Sequence, residues 1–326
     1  MEIIETASDF KKIKTGSVLT IGNFDGVHKG HQLILAKAGN IADEKQTSLI
    51  AMTFEPHPVA ILYPEKTPGV LTTLEQKEDL LADYGVDYLV VLRDGTRMLN
   101  LSPKDFVDEF LMKNIHPSVV VEGNDFNFGA NRSGNIDTLK QLGKEKGFDV
   151  AVVEPQKVKL NTGQIVKVSS TMIRYMLESG HVIDAAAVLG RTYRLVEKII
   201  AGRGIGKELG YPTLNMNKPA QIIPAEGVYA GFVEVEDSFE KIQKANKRLP
   251  AVFSIGQART YGPDHPLLSE AHLLDKNIEQ DLADKWMAMD FIQYIRSQHK
   301  FKSEKELADQ IANDCETGKN ILANIL

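Results

Sequence analysis

Cysteine is almost absent from this chain: Cys315 is the only one in 326 residues. An intramolecular disulfide is therefore impossible, which suits a reducing cytoplasm. Cys315 lies in a helix-like C-terminal stretch, where packing is its expected role. Long apolar runs are missing too. None approaches the roughly 18 residues of a membrane-spanning helix. The opening stretch MEIIETASDFKKIKTG lacks the apolar segment that a signal peptide needs. The expectation is a cytoplasmic protein with no membrane partner. Basic residues are outnumbered: 38 Lys and Arg against 44 Asp and Glu leave a net charge of −6. Affinity for nucleic acid usually needs a basic face, so no nucleic-acid partner is expected. Small anionic ligands remain open, because they need only a local positive site. No internal repeat or low-complexity tract interrupts the chain, and nothing in the sequence sets an oligomeric state.

What is present is the composition of an ordinary globular protein, 43% hydrophobic and 25% charged. The length favours roughly two domains. Apolar runs at 17–22, 48–54, 88–92, 118–122 and 149–153 read as buried strands. Helical patterns at 28–43, 74–84, 102–114 and 139–146 alternate with them. In the third, Ser102 is the expected N-cap and Pro103 the first helical residue. That alternation predicts a parallel sheet covered on both faces, with ligands bound beyond the carboxyl ends of its strands. Two further helices are expected over 169–180 and 181–189. After Gly190 the grammar changes to short strands separated by Gly and Pro turns, which predicts a small β-barrel. Its strands are expected at 193–201, 227–236, 249–255 and 270–274, while 286–298 suits strand and helix equally. A terminal helix over 303–324 opens on a capping-box pattern, Ser303 with Glu306. The boundary is placed at 186/187, giving domains 1–186 and 187–326.

The first chemical constellation is Gly22-Asn23-Phe24-Asp25-Gly26-Val27-His28-Lys29-Gly30-His31, at the end of the first buried strand. Glycines such as Gly22 and Gly26 let backbone approach a phosphate closely. The helix start that follows offers free N–H groups and a partial positive charge. His28 and His31, three residues apart, share a face and can address one phosphate chain, with Gly30 leaving room for a nucleotide. This pattern suits nucleotidyl transfer, in which a nucleophile attacks the α-phosphate and pyrophosphate leaves. A pair of surface histidines is the plain alternative; the buried strand and glycine-rich turn before them weigh against it. Two histidines without a third ligand make a poor zinc site. Farther on, Ser169, Ser170 and Thr171 sit at another helix start, and Arg174 one turn in can reach the same anion. Ordinary N-capping by Ser169 is the alternative there. Asp125 is equally readable as a substrate contact or a turn residue. Phe54, Pro56, Pro58, Phe126 and Phe128 could frame an aromatic ligand, and core packing explains the phenylalanines equally well.

The H-x-G-H element resembles that of the nucleotidyltransferase superfamily related to class I aminoacyl-tRNA synthetases. The longer string GNFDGVHKGH resembles the signature of the bacterial bifunctional riboflavin kinase/FAD synthetase family. Thr53–Pro58 (TFEPHP), Glu122–Gly129 (EGNDFNFG) with Arg132 and Gly134, and Val168–Arg174 (VSSTMIR) are similar to further motifs of that family. The resemblance spans nearly the whole chain. It implies an α/β fold: a Rossmann-like nucleotidyltransferase domain followed by a riboflavin-kinase-like β-barrel with a terminal helix. It implies ATP and Mg²⁺, with FMN as acceptor of the adenylyl group. The residues so implicated for nucleotide are Gly22, Phe24, Asp25, Gly26, His28, Gly30, His31, Ser169, Ser170, Thr171 and Arg174. Asp125, Phe54 and Phe128 are implicated for flavin.

A second constellation, Gly202–Asn215 (GRGIGKELGYPTLN), resembles the riboflavin kinase pattern ending in G-x-P-T-A-N. Gly204 and Lys207 belong to its expected phosphate flap. The resemblance implies Mg²⁺–ATP contacts through Thr213 and Asn215, both hard oxygen donors. It also implies Glu270 as the base that accepts the ribityl hydroxyl proton. Several positions depart from the family pattern. Leu214 replaces alanine, Ser254 replaces asparagine and Arg259 stands at a proline position. Ala283 and Asp284 replace the Tyr-Gly of a turn, where Asp284 would have to adopt φ > 0. Thr192 and Glu197 stand where proline and glycine are common. These changes raise the expectation of a weak or inactive kinase, with the barrel as a flavin-binding module. A nucleotidyltransferase acting on another phosphorylated acceptor is the further alternative.

Overall fold

A computed structural model describes residues 1–6, 8–93, 95–202, 204–257, 267–274, 282–323 and 325. Arg203, Arg259 with its neighbours 258–261, and Asp281 lie outside the described residues. The chain packs as two compact units: 1–158 with 165–170, and 159–164 with 171–326.

The first unit carries a six-stranded parallel sheet. Its strands are β1 (Glu2–Ile4), β2 (Val18–Ile21), β3 (Leu49–Phe54), β4 (Tyr88–Leu92), β5 (Val119–Gly123) and β6 (Asp149–Val153), in the order β1-β4-β3-β2-β5-β6. Near-continuous apolar runs such as Leu49–Met52 follow from burial on both faces. On one face, Leu35 and Ala38 of α1 (Lys29–Lys45) and Leu81 of α2 (Leu74–Asp83) pack with Val18, Ala51 and Val121. On the other, Phe106 and Phe110, with Leu139 and Leu142 of α3 (Ile136–Lys146), pack with Leu19, Ile50 and Val120. The segment Phe106–Ile115 is wound as a π-helix, preceded by one α-turn that Ser102 caps and Pro103 opens. The order reverses between β2 and β5, so the crevice for a ligand lies there.

The second unit holds α4 beyond its first residue (α4, Ser170–Glu178), α5 (Val182–Leu189), the barrel and the terminal helix α6 (Glu304–Leu322). Barrel strands are β7 (Tyr193–Ile200), β8 (Leu214–Met216), β9 (Gly227–Glu236), β10 (Leu249–Gln257), β11 (Leu267–Leu273) and β12 (Trp286–Arg296). They close in the order β7-β8-β11-β10-β9-β12. The segment 286–296 is strand, because it pairs along its length with both β7 and β9. Helix α6 is fastened by a bidentate ion pair, Arg296 Nε and Nη2 to the Asp314 carboxylate at 2.8 and 2.7 Å. Ser303 caps it, accepting the Glu306 N–H at 3.2 Å.

Candidate active site

Strand β2 delivers the chain into the turn 22–28, where Phe24, Gly26 and Val27 all have positive φ (48°, 83° and 37°). Three other segments hold this conformation. The Asp25 carboxylate accepts the Leu71 and Thr72 N–H groups at 2.9 and 3.1 Å, and the Gly26 N–H donates to Thr72 Oγ1 at 3.0 Å. Ser170 Oγ donates to the Asp25 carbonyl at 2.8 Å. Asn23 Nδ2 lies 2.9 Å from His57 Nε2, and Thr53 Oγ1 donates to the Asn23 carbonyl at 3.2 Å. Residues of the motifs 22–31 and 53–58, together with Ser170, therefore meet at one turn. Buried Lys77 sits nearby; burial pushes its ammonium pKa down, against the pull of Asp25, Glu55 and Glu78.

His28 is not inside α1. It is the N-cap, with extended backbone, and its Nδ1 accepts the His31 N–H at 3.3 Å. That bond leaves the ring proton of a neutral His28 on Nε2. The two imidazoles stack, with centroids 3.7 Å apart and planes 13° from parallel. Phe24 meets the His31 ring edge-on at 5.3 Å. A Cβ at Gly30 would lie 3.2 Å from Cε1 and Nδ1 of His28, so the glycine also makes room for that ring.

These groups open onto a cavity of about 230 Å³. Of the residues named from sequence, Gly22, Phe24, His28, Gly30, His31, Asp125 and Ser169 line it. Asp125 pairs with Lys167 Nζ at 2.7 Å, and that ammonium holds its carboxyl below the usual range. Asp25, Gly26 and Ser170 do not line the cavity; they brace the turn beneath it. Phe128 is a core residue, 7% exposed between Phe106 and Phe126, and it does not line this cavity. Its neighbour Phe126 lines the cavity instead. Phe54, half-buried at the end of β3, also lies off the cavity lining. Thr171 and Arg174 belong to the second compact unit.

Sequence reasoning missed two buried polar groups on the cavity floor, Thr20 and Glu122. Burial pushes the Glu122 carboxyl pKa well up, only partly offset by the Ile21 N–H that it accepts. A carboxylate closing an apolar run, Val119–Val121, was the available signal, since such a group is costly to bury without purpose.

In the barrel, Asn215 of β8 pairs directly with Glu270 of β11, which pairs with Ser254 of β10. Directly opposed residues in a sheet share a face, so the expected ligand, the expected base and one departure stand in a single row. The flap glycines are needed for contact reasons. A Cβ at Gly202 would lie 2.2 Å from Asn215 Nδ2, and one at Gly206 would lie 2.5 Å from the Tyr211 carbonyl and 3.5 Å from Thr213 Oγ1. Gly204 has φ +81° at the start of a short helix, Ile205–Glu208, on which Lys207 is exposed. Leu214 is accommodated: it pairs with wholly buried Ala271, a small residue opposite a large one. Asp284 does adopt φ +65°, as its position required. Thr213 and Asn215 offer oxygen donors that fit Mg²⁺. Among the described residues no group of three or more His, Cys, Asp or Glu side chains could hold a metal.

Comparison with known proteins agrees with both halves. The family model for FAD synthetase matches residues 10–172, and that for riboflavin kinase matches 189–322. A bifunctional riboflavin kinase/FMN adenylyltransferase of Buchnera aphidicola subsp. Acyrthosiphon pisum is 33% identical over 96% of each chain. The Escherichia coli K12 protein of the same name is 34% identical over 92% of this chain and 90% of its own. A Streptococcus pneumoniae crystal structure described as a macrolide-efflux protein superposes with a TM-score of 0.81 at 26% identity, covering 98% of this chain and 99% of that one. Among the described residues, no helix here is long and apolar enough to cross a membrane. The chain belongs to the bifunctional riboflavin kinase/FMN adenylyltransferase family.

Proposed function

We propose that residues 1–186 transfer AMP from ATP to FMN, releasing pyrophosphate and forming FAD, and that residues 187–326 phosphorylate riboflavin to FMN. The two family matches, ending at 172 and beginning at 189, support a boundary between them. The observation that carries the adenylyl reading is the stacked His28–His31 pair at the head of α1, facing a cavity that opens at the sheet's switch point. An FMN phosphate oxygen attacks the α-phosphorus of ATP, and the bond to pyrophosphate breaks. The imidazole N–H of His28 and the ring of His31 offset charge that builds on the phosphate oxygens. Mg²⁺ bound to the triphosphate would neutralise part of its charge. Asp125, held ionised by Lys167, and Phe126 are proposed to orient the flavin, and Ser169 the nucleotide. In the barrel the ribityl hydroxyl oxygen attacks the γ-phosphorus of ATP, Glu270 takes its proton and ADP leaves; Thr213 and Asn215 would hold the ATP phosphates and their Mg²⁺ beneath the flap of Gly204 and Lys207. A single cysteine supports placing the protein in the cytoplasm.

A second reading for the barrel, a weakened kinase kept as a flavin-binding module, is favoured by Ser254 beside Glu270 and by the positive φ of Asp284. Incubation with riboflavin, ATP and Mg²⁺ separates the two: brisk FMN formation rejects the weakened kinase. For the adenylyl site, His28→Ala or His31→Ala should slow FAD formation about 10²–10³-fold. Unchanged rates in both variants would place the phosphates elsewhere.

A further inference from the structure

Strands β2 and β5 are neighbours, but their ladder stops early. Pairing is Val18 with Val119 and Leu19 with Val120, and no further. On its other side β2 continues to Ile21 opposite Met52, and β5 continues to Gly123 opposite Val153. The two strands thus part at the switch point, and the Ile21 N–H loses the backbone acceptor that a continued ladder would give it. Glu122 replaces that acceptor: its Oε1 receives the Ile21 N–H at 2.6 Å. The side chain is 2% exposed and lines the cavity on whose rim His28 and His31 sit. Thr20, wholly buried, lines the same cavity, and its hydroxyl has no protein partner among the described residues.

A carboxylate on this floor would repel a triphosphate and would be costly to bury. A carboxylic acid has neither drawback: one oxygen accepts from Ile21, and the other carries a hydrogen to donate. Resting on the adenylyl reading above, we propose that Glu122 is a nucleotide-positioning residue in its acid form, which holds the parted end of β2 and donates its hydrogen to an oxygen of bound ATP. Burial, which already pushes the Glu122 pKa up, works in the same direction. The Thr20 hydroxyl is a second neutral donor on the floor. The account implies a pH dependence. As pH rises and Glu122 ionises, the donor becomes a buried negative charge and ATP binding weakens. The other titratable groups around the cavity are His28 and His31 on α1 and its cap, Asp125 after β5, Glu154 after β6, and Lys167. All of these remain in a Glu122→Gln variant, which keeps the acceptor and a donor but cannot ionise.

The test is Mg–ATP binding to the full chain by calorimetry, from neutral pH to about pH 9.5, in a Thr213→Ala/Asn215→Ala background that removes the ATP contacts proposed for the barrel, with Glu122 kept or changed to Gln or Val and FAD formation followed in parallel. At neutral pH the Gln variant should bind within about three-fold of the Glu122 form, and the Val variant about ten-fold more weakly, with the loss in KM for ATP rather than in kcat. Affinity of the Glu122 form should fall as pH rises, while the Gln profile should run flatter. Parallel Glu122 and Gln profiles, or a Val variant with the affinity of the Glu122 form, would overturn the proposal. Binding reads Glu122 directly. The predicted binding pattern without FAD formation would sink the adenylyl reading alone, and FAD formation with parallel profiles would sink the Glu122 proposal alone.

Discussion

Replacing Gly30 with alanine adds one methyl group at the second position of α1. That methyl would stand 3.2 Å from both Cε1 and Nδ1 of His28 and 3.6 Å from Val168 Cγ1. A separation of 3.2 Å requires the neighbour to yield by a few tenths of an ångström. The His28 ring has little freedom to do so. Its Nδ1 accepts the His31 N–H, and its face lies 3.7 Å from the His31 ring. Moving it either lengthens the capping bond, already 3.3 Å, or slides the stacked pair. Positioning errors of this size at a reacting centre cost about 10²-fold in rate. Global stability should barely change. Alanine gains up to about 1 kcal/mol over glycine in a helix, which offsets the strained contact. The expected result is FAD formation reduced about 10²-fold, with urea unfolding shifted by less than about 1 kcal/mol. Gly39→Ala is the internal control: it lies on the same helix, and its Cβ would meet nothing within 4 Å. That variant should keep full activity. A Gly30→Ala enzyme with wild-type rate would refute the tight packing of the histidine pair. A rate loss matched by several kcal/mol of lost stability would make the glycine a folding residue instead.

Other sites give independent expectations. Asp284 holds φ +65°, so Asp284→Gly should stabilise the protein by about 0.5 kcal/mol in urea titrations, and a loss of stability would show that the aspartate is not strained. Asp314→Ala would strand the Arg296 guanidinium, whose side chain is 18% exposed; unfolding free energy should drop by about 3 kcal/mol, and a drop near zero would demote that ion pair. Glu270→Gln should abolish FMN formation from riboflavin while FAD formation from FMN continues, and loss of both would mean that the two reactions share a group.

Much of the fold was legible because its signals are local. The buried strands 49–54 and 88–92, the capped helix after Ser303 and the Gly and Pro punctuation after 190 report burial and turn chemistry directly. Other features depend on partners far away in sequence. The stretch Trp286–Arg296 has no decisive period of its own, and becomes strand because β7 and β9 flank it. The π-winding of 106–115 follows no local pattern we can name. At the site, the spacing of His28 and His31 pointed to one shared helical face, yet the stack joins the helix's N-cap residue to a ring in its first turn. Phe126 and Phe128 differ by two residues and are alike in type, so only the fold separates the cavity ring from the core ring. Leu214 reads as a disruptive departure until the strand register places Ala271 opposite it. Glu122 escaped notice because its meaning lies in the early parting of β2 and β5, which only pairing reveals.

The most direct test of the central claim follows the phosphates of ATP in a single turnover with FMN and Mg²⁺. With label on the α-phosphorus, the account predicts radioactivity in FAD; with label on the γ-phosphorus, it predicts all of it in pyrophosphate. His31→Ala should slow both transfers together. Label from the γ-position in a flavin product, or α-label that never leaves the adenine nucleotide pool, would contradict adenylyl transfer to FMN at the His28–His31 site.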